Sequence, residues 1–408
     1  MHVAGALVRA VNGLTARWAG AAEAGAAEGG GTVFSAAGVW PLLAFLADGA
    51  TGAARAELAE AVGMPADQAA AAARELLTAM GTVRGLDSAL GLWTKRTLEL
   101  REEWRAGLPA EAHGVLDDDP EVTRQALDAW AARRTGGLIR RMPVALTPDA
   151  QMVLASALTL RTDWLRPFDE RMLHPGAGPW QGRTLPGLHR RSVRLDRIGV
   201  ADTPSGFVTR LAVPGDNGID VHLLLGEERM TPGQVLGAGV GILDRGYRVV
   251  PGAQLPYGDA GPGLRVEQEP CTTPQSPLLD VTTVAYDVTA HHDLLALHRL
   301  FGLSTAKDTT RAHFPGISGF PLAVGSARQS VVARFGAVGF RAAAVTAVVP
   351  VAGSVPQYRH TTTVVRATFD RPFGFLAVHR ETRLALVGGW VTDPEPCGTT
   401  ARTRTGPQ

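Results

Sequence analysis

The chain has 408 residues, of which 45% are hydrophobic and 19% charged, so it can bury a sizeable core and general disorder is excluded. Forty basic and 39 acidic side chains leave a formal charge of +1, which disfavours both a general nucleic-acid binder and a membrane-surface binder. Two cysteines, Cys271 and Cys397, cannot form a disulfide framework. No run of about 18 apolar residues occurs, so no membrane-spanning helix is predicted.

The first twenty residues predict an amphipathic helix rather than a signal peptide. No basic residues precede the apolar stretch, and Arg9 then interrupts it. On this basis we expect a cytoplasmic protein, with export by a route that the sequence does not reveal as the alternative.

The segment up to about residue 140 is predicted to be mostly helical. Val39–Leu46 has the apolar character of a buried helix, and a second helix starts near Ala53 and ends at Gly63. Asp67 is a candidate N-cap for the Ala-rich helix Gln68–Met80.

A further helix is predicted over Glu121–Arg134, ending at Gly136 and Gly137. The acidic run Asp117–Asp119 precedes it and is followed by Pro120. We interpret this run as a capping loop, because the spaced oxygen ligands and the closing glutamate of a calcium loop are absent.

After residue 150 the pattern becomes strand-like. Met152–Leu160 is a continuous apolar run, as in a buried strand, and a turn cluster separates Phe207–Val213 from Ile219–Leu225. Leu279–Val288 is predicted as another strand and Leu294–Leu303 as a short helix that ends at Gly302.

The order of helices first and mixed strands later indicates an α+β fold. Segments 173–190 and 255–278 are rich in Pro and Gly and are predicted to be long loops of one domain that spans residues 1–408.

Three groups of residues have the composition of a chemical site. His291, His292 and His298 could suggest a metal site, but we interpret them as a solvated helix start. Two basic clusters could bind a polyanion, but the balanced charge favours ordinary surface; they comprise Arg133, Arg134, Arg140 and Arg141, and His189, Arg190, Arg191, Arg194 and Arg197.

No positive sign of an enzyme occurs. A nucleophile elbow, a phosphate loop and a dinucleotide fingerprint are all absent. Cys271 lies in a Pro-rich stretch, predicted to be a loop, and has no context typical of a reactive cysteine. No metal or other cofactor is predicted.

Five segments together resemble the serpin family. Leu46–Leu58 resembles the signature Leu-x-x-Gly-Ala-x-Gly-x-Thr-x-x-Glu-Leu, and Trp130–Ile139 is similar to the family helix that crosses the main sheet. Ala155–Phe168 resembles the strand that ends in Lys-x-x-Trp-x-x-Pro-Phe. Phe301–Leu322 and Phe369–Gly388 resemble the segment before the mobile loop and the C-terminal signature.

These matches occur in the family's order between about residues 35 and 394, which leaves a short tail at 395–408. The resemblance implies a serpin fold of about nine helices around three β-sheets, with an exposed reactive-centre loop at about 339–362.

The resemblance also gives a role to a small-residue segment inside strand-like surroundings. It resembles the serpin hinge, usually written Gly-Thr-Glu-Ala-Ala-Ala-Ala-Thr, and consists of Gly339, Phe340, Arg341, Ala342, Ala343, Ala344, Val345 and Thr346. In the family, a protease cuts the loop and forms an acyl-enzyme, and the cut loop then inserts as a new central strand and traps the protease. Counted from Gly339, the family's usual loop length implies a scissile bond near Gly353 and Ser354, with Ala352, Ser354 and Val355 as alternative residues for the protease's first pocket.

Two features depart from the family pattern. Phe340 stands where Thr or Ser is usual and Arg341 where Glu is usual, and we expect Phe340 to enter the sheet first and to slow insertion. In the sheet-opening region, Ser156 and Gln329 take positions that often hold Asn and His, while Ser35 is retained. Their hydroxyl and amide groups can form a different hydrogen-bond network.

The resemblance, together with the small-residue hinge, therefore implies a serpin that inhibits a serine protease as a suicide substrate. A small residue at the cleavage site favours an elastase-like or subtilisin-like target. We expect a monomer that binds neither nucleic acid nor membrane. The alternative is a non-inhibitory serpin-fold binding or structural protein, suggested by Phe340 and Arg341.

Overall fold

The computed structural model describes residues 3–21, 31–144, 146, 150–340 and 359–394. Within these ranges it contains seven α-helices, against about nine expected: α1 (Gly5–Ala21), α2 (Ala36–Gly49), α3 (Gly52–Val62), α4 (Ala66–Gly81), α5 (Glu102–Ala106), α6 (Pro120–Arg134) and α7 (Pro232–Leu243). No helix in this part of the chain combines the length and apolar character needed to cross a bilayer.

The same ranges also contain the β-strands of the fold. They are β1 (Thr32–Phe34), β2 (Leu86–Lys95), β3 (His113–Leu116), β4 (Met152–Leu160), β5 (Thr162–Asp163), β6 (Asp169–Leu173), β7 (Leu185–Ser192), β8 (Ile198–Thr203), β9 (Gly206–Pro214), β10 (Ile219–Gly226), β11 (Val249–Pro251), β12 (Gly258–Gly261), β13 (Leu264–Cys271), β14 (Leu278–Val284), β15 (Tyr286–Asp293), β16 (Val324–Phe335), β17 (Gly339–Phe340), β18 (His360–Thr368), β19 (Phe373–His379) and β20 (Ala385–Val391).

Three large sheets result, as predicted, together with a short ladder between β5 and β17. The seven-stranded sheet has the order β1-β20-β19-β10-β9-β8-β11, and the six-stranded sheet the order β12-β13-β18-β14-β7-β6. The five-stranded sheet has the order β15-β16-β4-β2-β3. The expected α+β architecture is confirmed.

Local signals set the helix boundaries that the sequence predicted. The Asp119 carboxylate accepts a hydrogen bond from Glu121 N and caps α6, and Pro120 occupies the first helical position. Gly63 ends α3 with a φ of 70°, a conformation that favours glycine. The predicted start of α4 was wrong by two residues, because Pro65 is the N-cap and Asp67 lies in the first turn.

Helix α2 is buried on nearly every side between the sheets and its neighbouring helices. Gly49, at its end, lies against Ile317 so closely that a Cβ atom there would come within 2.2 Å of the Ile317 side chain. The large apolar core thus fixes α2 relative to the five-stranded sheet above it.

Two predicted loops contain strands. Segment 173–190 includes part of β7, and 255–278 includes the hairpin β12–β13, so Cys271 ends a strand and is buried rather than lying in a loop. The predicted strand Leu279–Val288 divides at Ala285 between two sheets, β14 in one and β15 in the other.

The helix predicted over Leu294–Leu303 is a series of turns, and Gly302 has a φ of 65° there. His291 and His292 lie on β15, so their assignment to a helix start was wrong. The His291 ring contacts Ser330 Oγ at 2.9 Å, and the His292 ring contacts Val33 O at 2.8 Å. Alternation along a strand sends these neighbouring side chains to opposite faces.

Candidate functional site

The candidate site is the central pair of strands in the five-stranded sheet, with the loop hinge at its upper end. Strands β4 and β16 are hydrogen-bonded directly to each other in parallel, from Met152 opposite Val324 to Thr159 opposite Val332. We call the end near Phe335 the upper end. With β4 and β16 paired along this length, no strand lies between them in the described structure.

Ser156 and Gln329 are direct partners across this pair. Gln329 Nε2 donates to Ser35 O at 2.8 Å and to Ser156 Oγ at 3.4 Å, and Gln329 Oε1 accepts from Ser35 N at 2.9 Å. All three side chains are buried. The structure therefore brings the three predicted sheet-opening residues into one hydrogen-bonded cluster.

Ser35 extends this cluster to the layer below. Its hydroxyl caps α2 by accepting from Gly38 N at 3.1 Å, and it donates to Leu386 O at 2.6 Å. Ser156 Oγ donates to Gly38 O at 2.9 Å. A Cβ atom at position 38 would lie 2.9 Å from Ser156 Oγ, so glycine is required for this close approach.

The hinge begins inside the protein. Gly339 and Phe340 form β17 and pair antiparallel with Asp163 and Thr162 of β5, which continues the line of β4. The Phe340 side chain is fully buried and contacts the Phe375 ring at a centroid distance of 6.2 Å. This corrects the expectation that Phe340 has still to enter the sheet, because its aromatic ring is already in the core.

Hydrogen bonds to its carbonyl oxygens hold the turn before the hinge. Trp164 N donates to Val338 O at 2.9 Å, and Trp164 Nε1 donates to Gly336 O at 2.9 Å. Phe168 N donates to Ala337 O at 2.8 Å. Sequence reasoning included Trp164 and Phe168 in a family motif but did not foresee that they fix the hinge.

Six predicted hinge residues and both scissile-bond candidates lie outside the described residues. They are Arg341, Ala342, Ala343, Ala344, Val345, Thr346, Gly353 and Ser354.

A second candidate site is a basic pocket of about 380 Å³ beside the seven-stranded sheet, which includes Arg197 of a cluster that the sequence assigned to ordinary surface. Its lining includes five arginines and two aspartates, with an aromatic and aliphatic wall: Arg197, Arg210, Arg245, Arg380, Arg383, Asp196, Asp220, Tyr247, Val249 and Val378. Arg380 binds Asp220 through two nitrogens, at 2.9 and 2.6 Å. The alternation of side chains along β9 and β10 was the available sequence signal for this pocket. Alternation does not reveal which charged residues pair with each other.

For two side chains in this pocket, the cost of burial is not fully offset by hydrogen bonds or by nearby negative charge. Arg210 Nε is buried and has no hydrogen-bond partner within the described ranges. Burial, with the nearby positive charges of Arg210 and Arg197, lowers the pKa of His222 to about 3. An excess of buried positive charge makes the pocket suited to an anion.

The serpin (serine protease inhibitor) family model matches residues 18–177. The rice proteins putative serpin-Z6A and putative serpin-Z8 (Oryza sativa subsp. japonica) are 30% and 31% identical over 149 and 161 residues, 33% and 36% of this chain. The chain matches 38% of the length of each of these relatives.

Solved structures extend the likeness to the whole fold. The thermophilic serpin tengpin in its native state aligns over 96% of this chain and 95% of its own, with a TM-score of 0.73 and 13% identity. Thyroxine-binding globulin in complex with thyroxine aligns over 96% of this chain and 99% of its own, with a TM-score of 0.70 and 17% identity. The sequence matches and the complete fold agree with the motifs read from the sequence: the chain has the serpin fold and is similar in sequence to the serpin family over residues 18–177.

Proposed function

We propose that the protein inhibits a serine protease as a suicide substrate and that the cut loop inserts between β4 and β16. The observation that carries the proposal is the position of β17, which already forms the first two residues of such a strand. Both of its neighbours are in place. Strand β5 pairs with β17 on one side, and the turn at 336–339 joins β17 to β16 on the other side.

Two independent registers predict the same inserted strand. Phe340 is opposite Thr162, so six residues further along Thr346 would be opposite Ser156. On the other side, Gly336 N donates to Gly339 O, and seven residues further along Thr346 would be opposite Gln329. Because Ser156 and Gln329 are already partners, the two registers agree.

This register assigns the two faces of the strand. Alternation places Ala342, Ala344 and Thr346 on the inward face of the inserted strand, the face that also carries Phe340. Arg341 lies on the outer face, where a charge is tolerated. Small inward side chains can enter a packed layer without overpacking it. Pro350 would be opposite Met152, the first residue of β4, so its missing N–H would fall at the end of the ladder.

The driving force comes from backbone pairing. One parallel ladder between β4 and β16 would be exchanged for two antiparallel ladders, one on each side of the new strand. About a dozen new backbone hydrogen bonds at about 1 kcal/mol each give a gain on the order of ten kcal/mol. The gain exceeds the few kcal/mol needed to separate the buried cluster of Ser35, Ser156 and Gln329.

The chemistry belongs to the protease. Its serine oxygen would attack a loop carbonyl near Gly353, form an acyl ester and release the amine of the next residue. Insertion would then have to outrun hydrolysis of the ester. A small residue at this position supports an elastase-like or subtilisin-like target. A protein that is merely cleaved would behave as an ordinary substrate.

The test is incubation with subtilisin and with pancreatic elastase, followed by a denaturing gel. A band at the summed mass of the two proteins is expected, and mass spectrometry of the released peptide then locates the cut bond. Complete cleavage without this band by every serine protease tested would contradict trapping.

A second candidate function is that of a non-inhibitory serpin that binds a small anion. The basic pocket with the buried Nε atom of Arg210 favours it, and the similar thyroxine-binding globulin binds thyroxine. The probe is an aromatic sulfonate whose fluorescence rises on binding. Saturable binding that Arg210→Ala abolishes and Arg229→Ala leaves unchanged would support this role, since Arg229 is exposed and paired with Glu227. Equal binding by both variants would contradict it.

A further inference from the structure

Strand β18 begins at His360, soon after the loop, and lies in the interior of the six-stranded sheet. On one side β13 pairs with it antiparallel over eight residues, from Leu264 opposite Ala367 to Cys271 opposite His360. On the other side β14 pairs with it in parallel over five residues. Without the hairpin β12–β13, β18 would be an edge strand held on one side only.

The six-stranded sheet lies beyond the upper end of the five-stranded sheet. Strand β14 ends at Val284, and after Ala285 the chain enters β15 with Tyr286 opposite Phe335, the last residue of β16. His360 is at the far end of β18 from this junction, because β18 runs parallel to β14 and its other end, Thr368, is opposite Thr282.

Chain length makes insertion of an intact loop incompatible with this position of β18. In the proposed register Pro350 reaches the lower end of the central pair, roughly 33 Å below Phe335 at about 3.3 Å per residue. Ten residues join Pro350 to His360 and span at most about 35 Å. They cannot cover both the return to the upper end and the further distance along β18, so β18 would have to leave its sheet.

A cut loop has no such constraint, because cleavage separates the hinge from β18. We propose that the hairpin β12–β13 is a clamp that holds β18 in its sheet and so confines insertion to the cleaved loop. The proposal rests on the proposed function, since it concerns the same inserted strand.

Charged side chains join the clamp to the rest of the sheet. Arg366 on β18 binds Glu267 Oε1 at 2.9 Å and also binds Glu269, both on β13. Arg366 lies 3.7 Å from the buried Asp280 of β14. Asp280 in turn binds Arg191 of β7 at 2.8 Å. The ion pairs therefore cross four adjacent strands and link the hairpin to the sheet interior.

The turn of the hairpin is anchored to the seven-stranded sheet as well. Gly263 O accepts from Thr368 N at 2.8 Å, and Pro262 O accepts from Thr209 Oγ1 at 2.7 Å. Gly263 has a φ of 59°, and a Cβ atom there would lie 2.5 Å from the Leu225 side chain. The hairpin is therefore held beside β18 by contacts to a second sheet as well as to β18 itself.

The clamp can be weakened and strengthened separately. Glu267→Gln with Glu269→Gln removes the charges that hold Arg366 while keeping side-chain size. Asp259→Asn is the matched control, because Asp259 lies on the same hairpin and pairs with Arg265 instead. His360→Cys in a Cys397→Ser background places a second thiol opposite Cys271, at the separation of directly paired strand residues that a disulfide can bridge.

The experiment incubates each uncut full-length variant at a temperature below unfolding and follows the appearance of a more heat-stable, still intact species. We expect the double glutamine variant to convert at least about tenfold faster than the parent, the Asp259→Asn variant to match the parent, and the oxidised His360→Cys variant to resist conversion. After subtilisin cleavage, all variants should gain heat stability.

Equal conversion rates in all variants would overturn the clamp. The clamp would also be overturned if no uncut variant converted although the cleaved forms gained heat stability. If cleavage raised the heat stability of none of them, insertion itself would be refuted, which is failure of the proposed function and is distinguishable from failure of the clamp alone.

Discussion

Phe340 faces Thr162 across a two-residue antiparallel ladder, with its ring buried against Phe375. The ladder fixes the register in which the rest of the hinge would enter the sheet. It also means that the largest hinge side chain occupies the core before any protease acts.

Ala344→Arg should abolish trapping, whereas Ala343→Arg should leave it nearly unchanged. In the proposed register position 344 faces the packed interior and position 343 faces solvent. A buried, unpaired arginine would remove most of the insertion gain, since its desolvation costs several kcal/mol. The yield of covalent complex on a denaturing gel distinguishes the pair, and equal yields would show that this register is wrong.

Phe340→Thr should lower the free energy of unfolding by about 3 kcal/mol and should not accelerate trapping. The cost is that of emptying a buried aromatic site, and no acceleration is expected because Phe340 is already in place. Chemical denaturation and the rate of complex formation measure the two effects. The exposed Phe320, changed to Thr, is the control. Faster trapping by Phe340→Thr would contradict this account of the hinge.

Gln329→Ala should lower the free energy of unfolding of the uncut protein by about 1–3 kcal/mol. The substitution leaves the buried Ser35 N and O without the side chain that binds both of them. The exposed Gln125 on α6, changed to Ala, is the control. Urea unfolding measures the difference. Equal stability of the two variants would mean that the cluster does not hold the sheet closed.

His222 should make the protein less stable as the pH falls below about 6.5. Its folded pKa of about 3 lies under the value of an unfolded histidine, so between these values the unfolded chain binds a proton that the folded chain does not. Stability is therefore lost as the pH falls, by about 2 kcal/mol between pH 6.5 and 5.

The measurement compares urea unfolding at these two pH values in the parent and in His222→Gln, which should lack this share of the loss. His174→Gln, at an exposed position, is the control. An identical pH dependence in His222→Gln and the parent would show that His222 does not titrate as its burial requires.

Elements whose signals are local were predictable from sequence. The cap at Asp119 and the glycine stop at Gly63 act within one helical turn, so α6 and α3 were placed nearly correctly. His291 and His292 were misassigned because their burial and partners depend on the distant β16 and β1. The hairpin β12–β13 was missed because Gly261, Pro262 and Gly263 indicate a loop, whereas its pairing with β18 is non-local.

The candidate site was accessible only in part. The family resemblance identified Ser35, Ser156 and Gln329 as neighbours, and the structure brings them together. The burial of Phe340 and the contacts of Trp164 with the turn depend on the packing of three elements, which no spacing along the chain indicates. The role of these site residues in inhibition stays a prediction, as do the monomeric state and the cytoplasmic location.

The central claim is that the cut loop becomes a strand between β4 and β16, and the melting temperature tests it most directly. The protein is cleaved once in the loop by catalytic subtilisin, and the melting curves of intact and cleaved protein are compared. A gain on the order of ten kcal/mol predicts a rise of at least about 10 °C after cleavage. An unchanged or lower melting temperature, with the cut confirmed between residues 346 and 359, would contradict insertion.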